Sequence, residues 1–171
     1  MTVAEARSTP EATEAGLEFE ELFRAEYSRL TSGLQLLTGS RTDAEDLAQD
    51  ALARVYERWS RVRTMDSPAG YLYTVALNLA RKRARRLRRA PVPPDPPGAA
   101  DPEATAERRA AIRAALRSLS KEQREALVVV DWLGFPPADA AAVLGVSPES
   151  VRARLHRARS SLRSRFGGVD E

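Results

Sequence analysis

Apolar residues recur at helical spacing along most of this chain. Three stripes with steps of three and four residues cover positions 19–37, 44–59 and 71–79. No segment alternates between apolar and polar residues for long enough to predict a strand. The short apolar run Val128–Val130 lies inside a helical pattern and is taken as buried helix. The pattern therefore predicts an all-α protein.

Short polar signals predict where the first helices begin. Thr42, with Glu45 three residues later, has the spacing of a capping box before the second stripe. Ser67 precedes Pro68, a residue suited to the first position of a helix, so the third helix is expected to begin there. Residues 1–15 have no apolar period and are predicted to form a mobile tail.

A proline-rich stretch divides the chain. Six prolines lie between residues 90 and 102, and proline at that density forbids a helix and favours extended chain. Beyond it, Ser120 is expected to cap a helix that runs to Trp132 or Leu133. The predicted organisation is two small helical domains joined by a linker: tail 1–15, first domain 16–90, linker 91–103 and second domain 104–171.

The second domain contains a helix-turn-helix pattern. Gly145 can adopt the left-handed conformation that ends a helix, and Ser147 can cap the next helix with Pro148 at its first position. In that helix one face is apolar and most of the other positions are polar or cationic; the apolar face is formed by Val151, Leu155, Ala158 and Leu162. A helix that is packed on one side and cationic on the other can enter a DNA major groove.

Charge is distributed unevenly along the 171 residues. The net charge is only +3, but the run Arg81–Arg89 has seven basic residues in nine, whereas the N-terminal part is acidic. This asymmetry favours a nucleic-acid partner over a merely solvated surface. The chain has no cysteine and a single histidine, which argues against disulfides, metal sites and redox chemistry. With no long apolar run and no signal-peptide pattern, a soluble, cytoplasmic protein is expected.

Three stretches in this order resemble bacterial sigma factors of the extracytoplasmic-function (ECF) group, the two-domain class of the sigma-70 family. They are Ala44–Asp50, Tyr71–Arg89 and Val151–Arg159. The resemblance covers roughly residues 19–166. It implies a protein that binds core RNA polymerase, directs it to minus-35 and minus-10 promoter elements, and assists promoter melting, with no catalysis, cofactor or metal of its own.

Polymerase docking is implied for the acidic face of the second helix. By resemblance, this face contacts a coiled coil of the largest polymerase subunit, through Asp46, Gln49 and Asp50, with Arg54 joining them. Periodicity alone leaves open a solvated surface. The flap region of the polymerase is a second expected contact on the core.

Minus-10 recognition is implied for the third helix and the loop before it. The Asn78 amide can donate and accept, and so can read a base edge. The other residues assigned to this element are the loop residues Met65 and Asp66 and the helical residues Arg81, Lys82 and Arg85. Tyr71 and Tyr73 could stack on a base, although the spacing favours a core position for Tyr71. The basic run could also be a surface that binds any polyanion.

Minus-35 recognition is implied for the arginine-rich helix. Arg152 and Arg157 are expected to contact guanine or the backbone, with Ser150 and His156 as secondary contacts. Arg154, Arg159 and Arg163 are expected to face phosphate or solvent.

The same resemblance implies a free monomer and an anti-sigma factor as a further partner. The leading alternative is a dimeric helix-turn-helix regulator that binds spaced half-sites without polymerase. A protein-binding adaptor and a small helical enzyme are further alternatives; no phosphate-binding loop, metal cluster or nucleophile–base pair supports the last of these.

Overall fold

In the computed structural model, the described residues are 10–88 and 106–166, with the side chains of residues 10–13, 106 and 109 excepted. Within these ranges all regular structure is helical, which confirms the all-α prediction. The helices are α1 Pro10–Thr38, α2 Arg41–Glu57, α3 Trp59–Val62, α4 Pro68–Leu87, α5 Ala106–Ser118, α6 Lys121–Leu127, the π-helical turn Val128–Trp132, α7 Pro137–Leu144 and α8 Pro148–Phe166. No helix in the described ranges is long and apolar enough to cross a membrane.

Helix α1 begins earlier than the apolar pattern indicates. Residues 10–15 were predicted to belong to a mobile tail, but they form the first turns of α1. Alanine and glutamate in this stretch favour a helix, and Ala15 packs against the core. The remainder of the predicted tail, residues 1–9, lies outside the described residues, as does the predicted linker 91–103.

Serine caps begin four of the helices. The Oγ atoms of Ser67, Ser120 and Ser147 accept the backbone N–H of the residue three positions later, as predicted. The prediction for α2 was wrong, because its cap is Ser40 and not Thr42. Gly39, at φ 77°, reverses the chain directly after α1, so α2 begins two residues earlier than the sequence signal suggests.

Helices α1, α2 and α4 pack around one set of buried side chains. Leu30 and Leu34 of α1 meet six buried residues on one face of α2, which are Ala44, Leu47, Ala48, Ala51, Leu52 and Val55. Leu72 and Ala76 complete this core from α4. Tyr56 was assigned to the apolar face of α2, but it is 60% exposed and contacts the ring of Phe19 at the surface.

The helix after Ser120 changes its winding near its end. The predicted helix to Trp132 is present, but after Leu127 it widens into a π-helical turn in which the N–H of Leu133 bonds the carbonyl of Val128 at 2.9 Å. Val128 and Val129 are buried, as predicted, whereas Val130 is half-buried. The wider turn places Leu133 and the following residues against α1 and α4.

The two predicted domains are packed against one another in this structure. The buried apolar residues of α1, α2 and α4 form one continuous cluster with those of α6, the π-helical turn, α7 and α8. A smaller cluster joins Leu116, Leu119 and Ala158, with Leu36 of α1 against it. Residues 10–88 (the first segment) and residues 106–166 (the second segment) therefore meet along an apolar interface.

Candidate nucleic-acid and protein interfaces

Most of the polar face of α2 is exposed. The four residues assigned to polymerase docking are all exposed: Asp46, Gln49, Asp50 and Arg54. No ion pair among the described residues engages Asp46 or Asp50, whereas Asp43 one turn earlier pairs with Arg83 of α4. The opposite face of α2 is buried, so its position and orientation are fixed by the core. The exposed carboxylates can attract a basic partner.

The basic face of α4 is only partly open. Asn78, Lys82 and Arg85 are exposed, as their predicted roles require. Arg81, assigned to the same face, instead lies against the second segment. Its Nη2 and Nε donate to the Glu125 carboxylate at 2.7 Å and 3.1 Å, and Nη2 also donates to the Leu144 carbonyl at 3.2 Å. The structure therefore brings three of the four helical residues together at a surface and diverts the fourth.

The two loop residues assigned to the minus-10 pocket differ in exposure. Asp66 is exposed, whereas Met65 is half-buried and packs against the core. A thioether fills irregular gaps well, and this contact accounts for the position of Met65 without a bound base.

Tyr71 and Tyr73 differ in burial: Tyr71 packs against the core from a half-buried position, and Tyr73 lies deeper in the core. Tyr73 is buried, and its hydroxyl donates to Glu26 Oε2 at 2.8 Å. Burial, followed by the hydrogen bond to the Glu26 carboxylate, raises the pKa of Tyr73 above its usual value. Tyr71 is half-buried, and its hydroxyl accepts from Arg58 Nη1 at 3.3 Å. Base stacking by Tyr73 is therefore excluded in this arrangement, because its ring lies in the core.

The helix-turn-helix has the geometry that the sequence predicts. Gly145 ends α7 in the left-handed conformation at φ 71°, and α8 begins at Pro148. Val151, Leu155 and Ala158 are buried, which fixes the apolar face of α8 against the second segment. The turn therefore sets α8 at the surface with its polar face outward.

The outward face of α8 contains the residues assigned to minus-35 recognition. Arg152, His156 and Arg157 are exposed. Arg152 Nη2 lies 3.0 Å from Glu149 Oε1, an exposed pair that a DNA contact can replace at little cost. Ser150 is half-buried, and its hydroxyl accepts a hydrogen bond from Ser147 at 3.0 Å. Arg159, expected to face phosphate or solvent, is exposed and forms an ion pair with Asp131 at 2.5 Å.

An apolar groove that the sequence analysis missed lies beside α8. It has a volume of about 340 Å³ and is lined mainly by Leu36, Ile112, Leu116, Leu127, Trp132 and Phe166. Trp132 is 58% exposed and Phe166 is 50% exposed. Large exposed apolar side chains around a groove mark a protein-binding surface. The sequence signal that could have indicated this groove is that these apolar residues lie outside the predicted apolar faces of the helices.

Two family models match this chain. "Sigma-70 region 2" matches residues 22–90 and "Sigma-70, region 4" matches residues 109–162. The RNA polymerase sigma-E factor of Streptomyces coelicolor is 35% identical over 158 residues, covering 90% of this chain and 89% of that protein. The ECF RNA polymerase sigma factor SigM of Mycobacterium tuberculosis is 33% identical over 151 residues, covering 87% of this chain and 77% of that protein.

Solved structures show the same fold. The sigma factor RpoE from Bartonella quintana, crystallised with the anti-sigma factor NepR, aligns with a TM-score of 0.73 at 25% identity, covering 90% of this chain and 99% of that one. CnrH, in complex with the cytosolic domain of CnrY, aligns with a TM-score of 0.67 at 22% identity, covering 92% of this chain and 96% of that one.

An all-α chain with a basic helix face and a helix-turn-helix has the features of a DNA-binding protein. The chain belongs to the ECF group of the sigma-70 family. It is thus a sigma factor, a protein that directs RNA polymerase to promoters. The resemblance seen in the sequence is confirmed.

Proposed function

We propose that this sigma factor binds its partners through three separate surfaces. The polar face of α2 docks on core polymerase, the basic face of α4 with the preceding loop holds the minus-10 element, and the outward face of α8 reads the minus-35 element. The single observation that carries this division is that each face is exposed while the opposite face of the same helix is buried.

Docking through α2 is supported by the unpaired carboxylates of Asp46 and Asp50. Gln49 lies between them, and Arg54 extends the surface one turn further. Charge complementarity orients a partner and speeds its association more than it raises affinity. The proposed partner is the basic side of a coiled coil in the largest polymerase subunit.

Minus-10 binding through α4 is supported by Asn78, Lys82 and Arg85, which are exposed on one helix. Asn78 reads a base edge, and the two cations contact phosphates. Asp66 in the adjoining loop contacts an unstacked base through hydrogen bonds. Met65 supports that loop from the core side.

Minus-35 binding through α8 is supported by Arg152 and Arg157, whose side chains project from an exposed helix face. An arginine bidentate to guanine discriminates by about 1–3 kcal/mol. His156 lies beside them as a secondary contact. Ser150 is held by the turn and contributes through its position next to the phosphate backbone.

The apolar groove beside α8 is proposed as the contact for the polymerase flap region. An amphipathic helix can lay its apolar face into such a groove, with Trp132 and Phe166 at the rim. An anti-sigma factor is the second proposed partner of the chain, since the related sigma factor RpoE was solved in complex with the anti-sigma factor NepR.

The chain is proposed to perform no covalent chemistry, since its relatives are sigma factors and the polymerase supplies the reaction. Its proposed place of action is the cytoplasm, where RNA polymerase transcribes. As a free protein it is proposed to be a monomer.

Run-off transcription tests this function. Core RNA polymerase purified from Streptomyces coelicolor is incubated with the chain and a genomic fragment library, and transcript starts are sequenced. We expect starts that depend on the chain and share a two-part upstream motif. If no starts depend on the chain, but the chain alone shifts specific duplexes, the dimeric regulator is the correct assignment instead.

A further inference from the structure

A cavity of about 370 Å³ lies between the two segments of the chain. Its walls come from α1, α2 and α4 on one side, and from Leu119 and α6 on the other. This volume is at the small end of the range for small-molecule sites in proteins. At roughly 30 Å³ for each nonhydrogen atom, the cavity can hold a ligand of about a dozen such atoms.

Contacts between the segments fix the walls of this cavity. Arg81 Nε and Nη2 donate to the Glu125 carboxylate at 3.1 Å and 2.7 Å. Elsewhere in the interface, the Leu133 side chain lies on Gly33 of α1, where an added Cβ would be only 3.1 Å from Leu133 Cδ2. Arg29 donates to the Leu133 carbonyl. The cavity is therefore a gap between packed side chains and has a defined shape.

Cations outnumber carboxylates around the cavity. The lining has five cationic side chains and two carboxylates: Arg81, Arg83, Arg88, Lys121 and Arg124 against Asp43 and Glu125. Both carboxylates already have partners, because Glu125 contacts Arg81 and Lys121. Asp43 is paired with Arg83. The two remaining cations have no carboxylate within 4 Å among the described residues, so the lining has positive charge to offer an anion.

Arg124 is the cation best placed to hold that anion. It is half-buried, and its Nε and Nη2 donate to the carbonyls of Leu116 and Leu119 at 2.8 Å and 3.3 Å. These bonds use two of its five N–H donors and fix the direction of the others. Burial, opposed by Glu125 and reinforced by Arg117, lowers the pKa of Arg124 below its usual value. A bound anion would offset this loss of hydration.

Apart from Thr38, the rest of the lining is aliphatic. It consists of leucine and alanine side chains: Leu37, Leu77, Ala80, Ala84, Leu87 and Leu119. None of the described residues that line the cavity is aromatic, so a nucleobase would find no ring on which to stack. An alkyl chain would instead remove its apolar surface from water against the leucines. The lining thus fits a ligand with an anionic end and an aliphatic end.

We propose that this cavity binds a small amphipathic anion. A phosphate or carboxylate head is held by Arg124, with Lys121 and Arg88 beside it, and a short aliphatic chain lies against the leucines. None of these three cations has a part in the proposed function, so either proposal can be wrong without the other. Because its walls come from both segments, the ligand contacts both and stabilises the arrangement in which they are packed.

Isothermal titration calorimetry of the full-length chain tests this site. One probe is octyl phosphate, kept below the concentration at which it forms micelles, and the other is octanoate, which has a carboxylate head. We expect one molecule of either probe to bind per chain and to raise the melting temperature. Inorganic phosphate lacks the chain and octyl glucoside lacks the charge, so each is expected to bind at least about tenfold more weakly.

Two variants change the site by different routes. Arg124→Gln removes the cation and keeps an amide that can donate to a backbone carbonyl. Ala84→Leu fills the aliphatic part of the cavity with a residue that favours a helix. Each is expected to weaken octyl phosphate binding at least about tenfold. The matched controls are Arg113→Gln and Ala53→Leu, at exposed positions outside the lining, with an expected change of less than about twofold.

Absence of binding by both probes overturns the inference. Equal weakening by Arg124→Gln and Arg113→Gln overturns it as well, since it indicates a general attraction of anions. Equally tight binding of inorganic phosphate indicates an adventitious ion only. Displacement of octyl phosphate by a tighter-binding single-stranded DNA oligonucleotide makes the cavity part of the DNA-binding surface instead. Circular dichroism checks folding, and if Arg124→Gln is unfolded, Ala84→Leu and its control decide.

Discussion

Arg152 and Arg163 are two arginines of one helix with different expected roles. Arg152 lies on the outward face of α8 in its first turns, whereas Arg163 lies in the last turn with its Nε 3.5 Å from the Arg159 carbonyl. The ends of a recognition helix differ in function because its N-terminal residues reach the base edges. Substitutions at the two positions therefore separate base recognition from general attraction.

Arg152→Ala is expected to weaken recognition at one or two minus-35 positions by about 1–3 kcal/mol and to relax the sequence preference there. Arg163→Ala is expected to weaken all promoters to a similar, smaller extent. The measurement is transcription by the polymerase complex from a library randomised at the minus-35 element. An equal loss on every sequence for Arg152→Ala would make it a phosphate contact.

At single residues, the sequence predicted the core positions of α4 only in part. Periodicity correctly put Leu72 and Ala76 in the core, but it favoured Tyr71 over Tyr73 as a core residue, whereas Tyr71 is half-buried and Tyr73 is buried. Tyr73 is buried because its hydroxyl donates a hydrogen bond to Glu26 and its ring packs edge to face against Phe135. Both partners are more than forty residues away in sequence, outside the reach of a local pattern.

Helix α2 offers a surface whose effect can be tested apart from DNA binding. Asp46→Arg combined with Asp50→Arg reverses the charge of the proposed docking face without touching its buried side. The double variant is expected to abolish binding to core polymerase. The control is Glu14→Arg with Glu21→Arg, which makes the same charge change at exposed positions of α1.

Fluorescence anisotropy of labelled chain titrated with core polymerase measures both pairs of substitutions. Equal affinity of the α2 variant and the wild type would contradict the docking assignment. A similar loss in both double variants would show that binding responds to overall charge and not to this face.

Among the elements, those with a strong apolar period and a serine cap were predicted almost completely. The helix-turn-helix is the best case, since Gly145 and Ser147 mark its turn chemically. The π-helical turn after Leu127 could not be predicted, because a run of valines fits either winding. Its form depends on Leu133 reaching α1, which is a tertiary contact.

On the scale of the whole molecule, the sequence predicted two domains but not their contact. The proline-rich stretch indicated a division, and each half has its own family model. The interface is made by residues that look ordinary in sequence: a glutamate in a helix, a leucine before a glycine, and a glycine inside α1. They gain significance only because they meet partners that lie 44 to 104 positions away in the sequence.

The contact of Leu133 with Gly33 limits what natural variation can do at these two positions. Because a Cβ at position 33 would meet the Leu133 methyl groups, the two side chains share one small volume. Among relatives in which the two segments pack in the same way, side-chain sizes at these positions are expected to vary inversely, with a bulkier residue at 33 accompanied by a smaller one at 133. An alignment of such relatives tests this, and independent variation of the two sizes would show that the two side chains do not share one packed volume in those proteins.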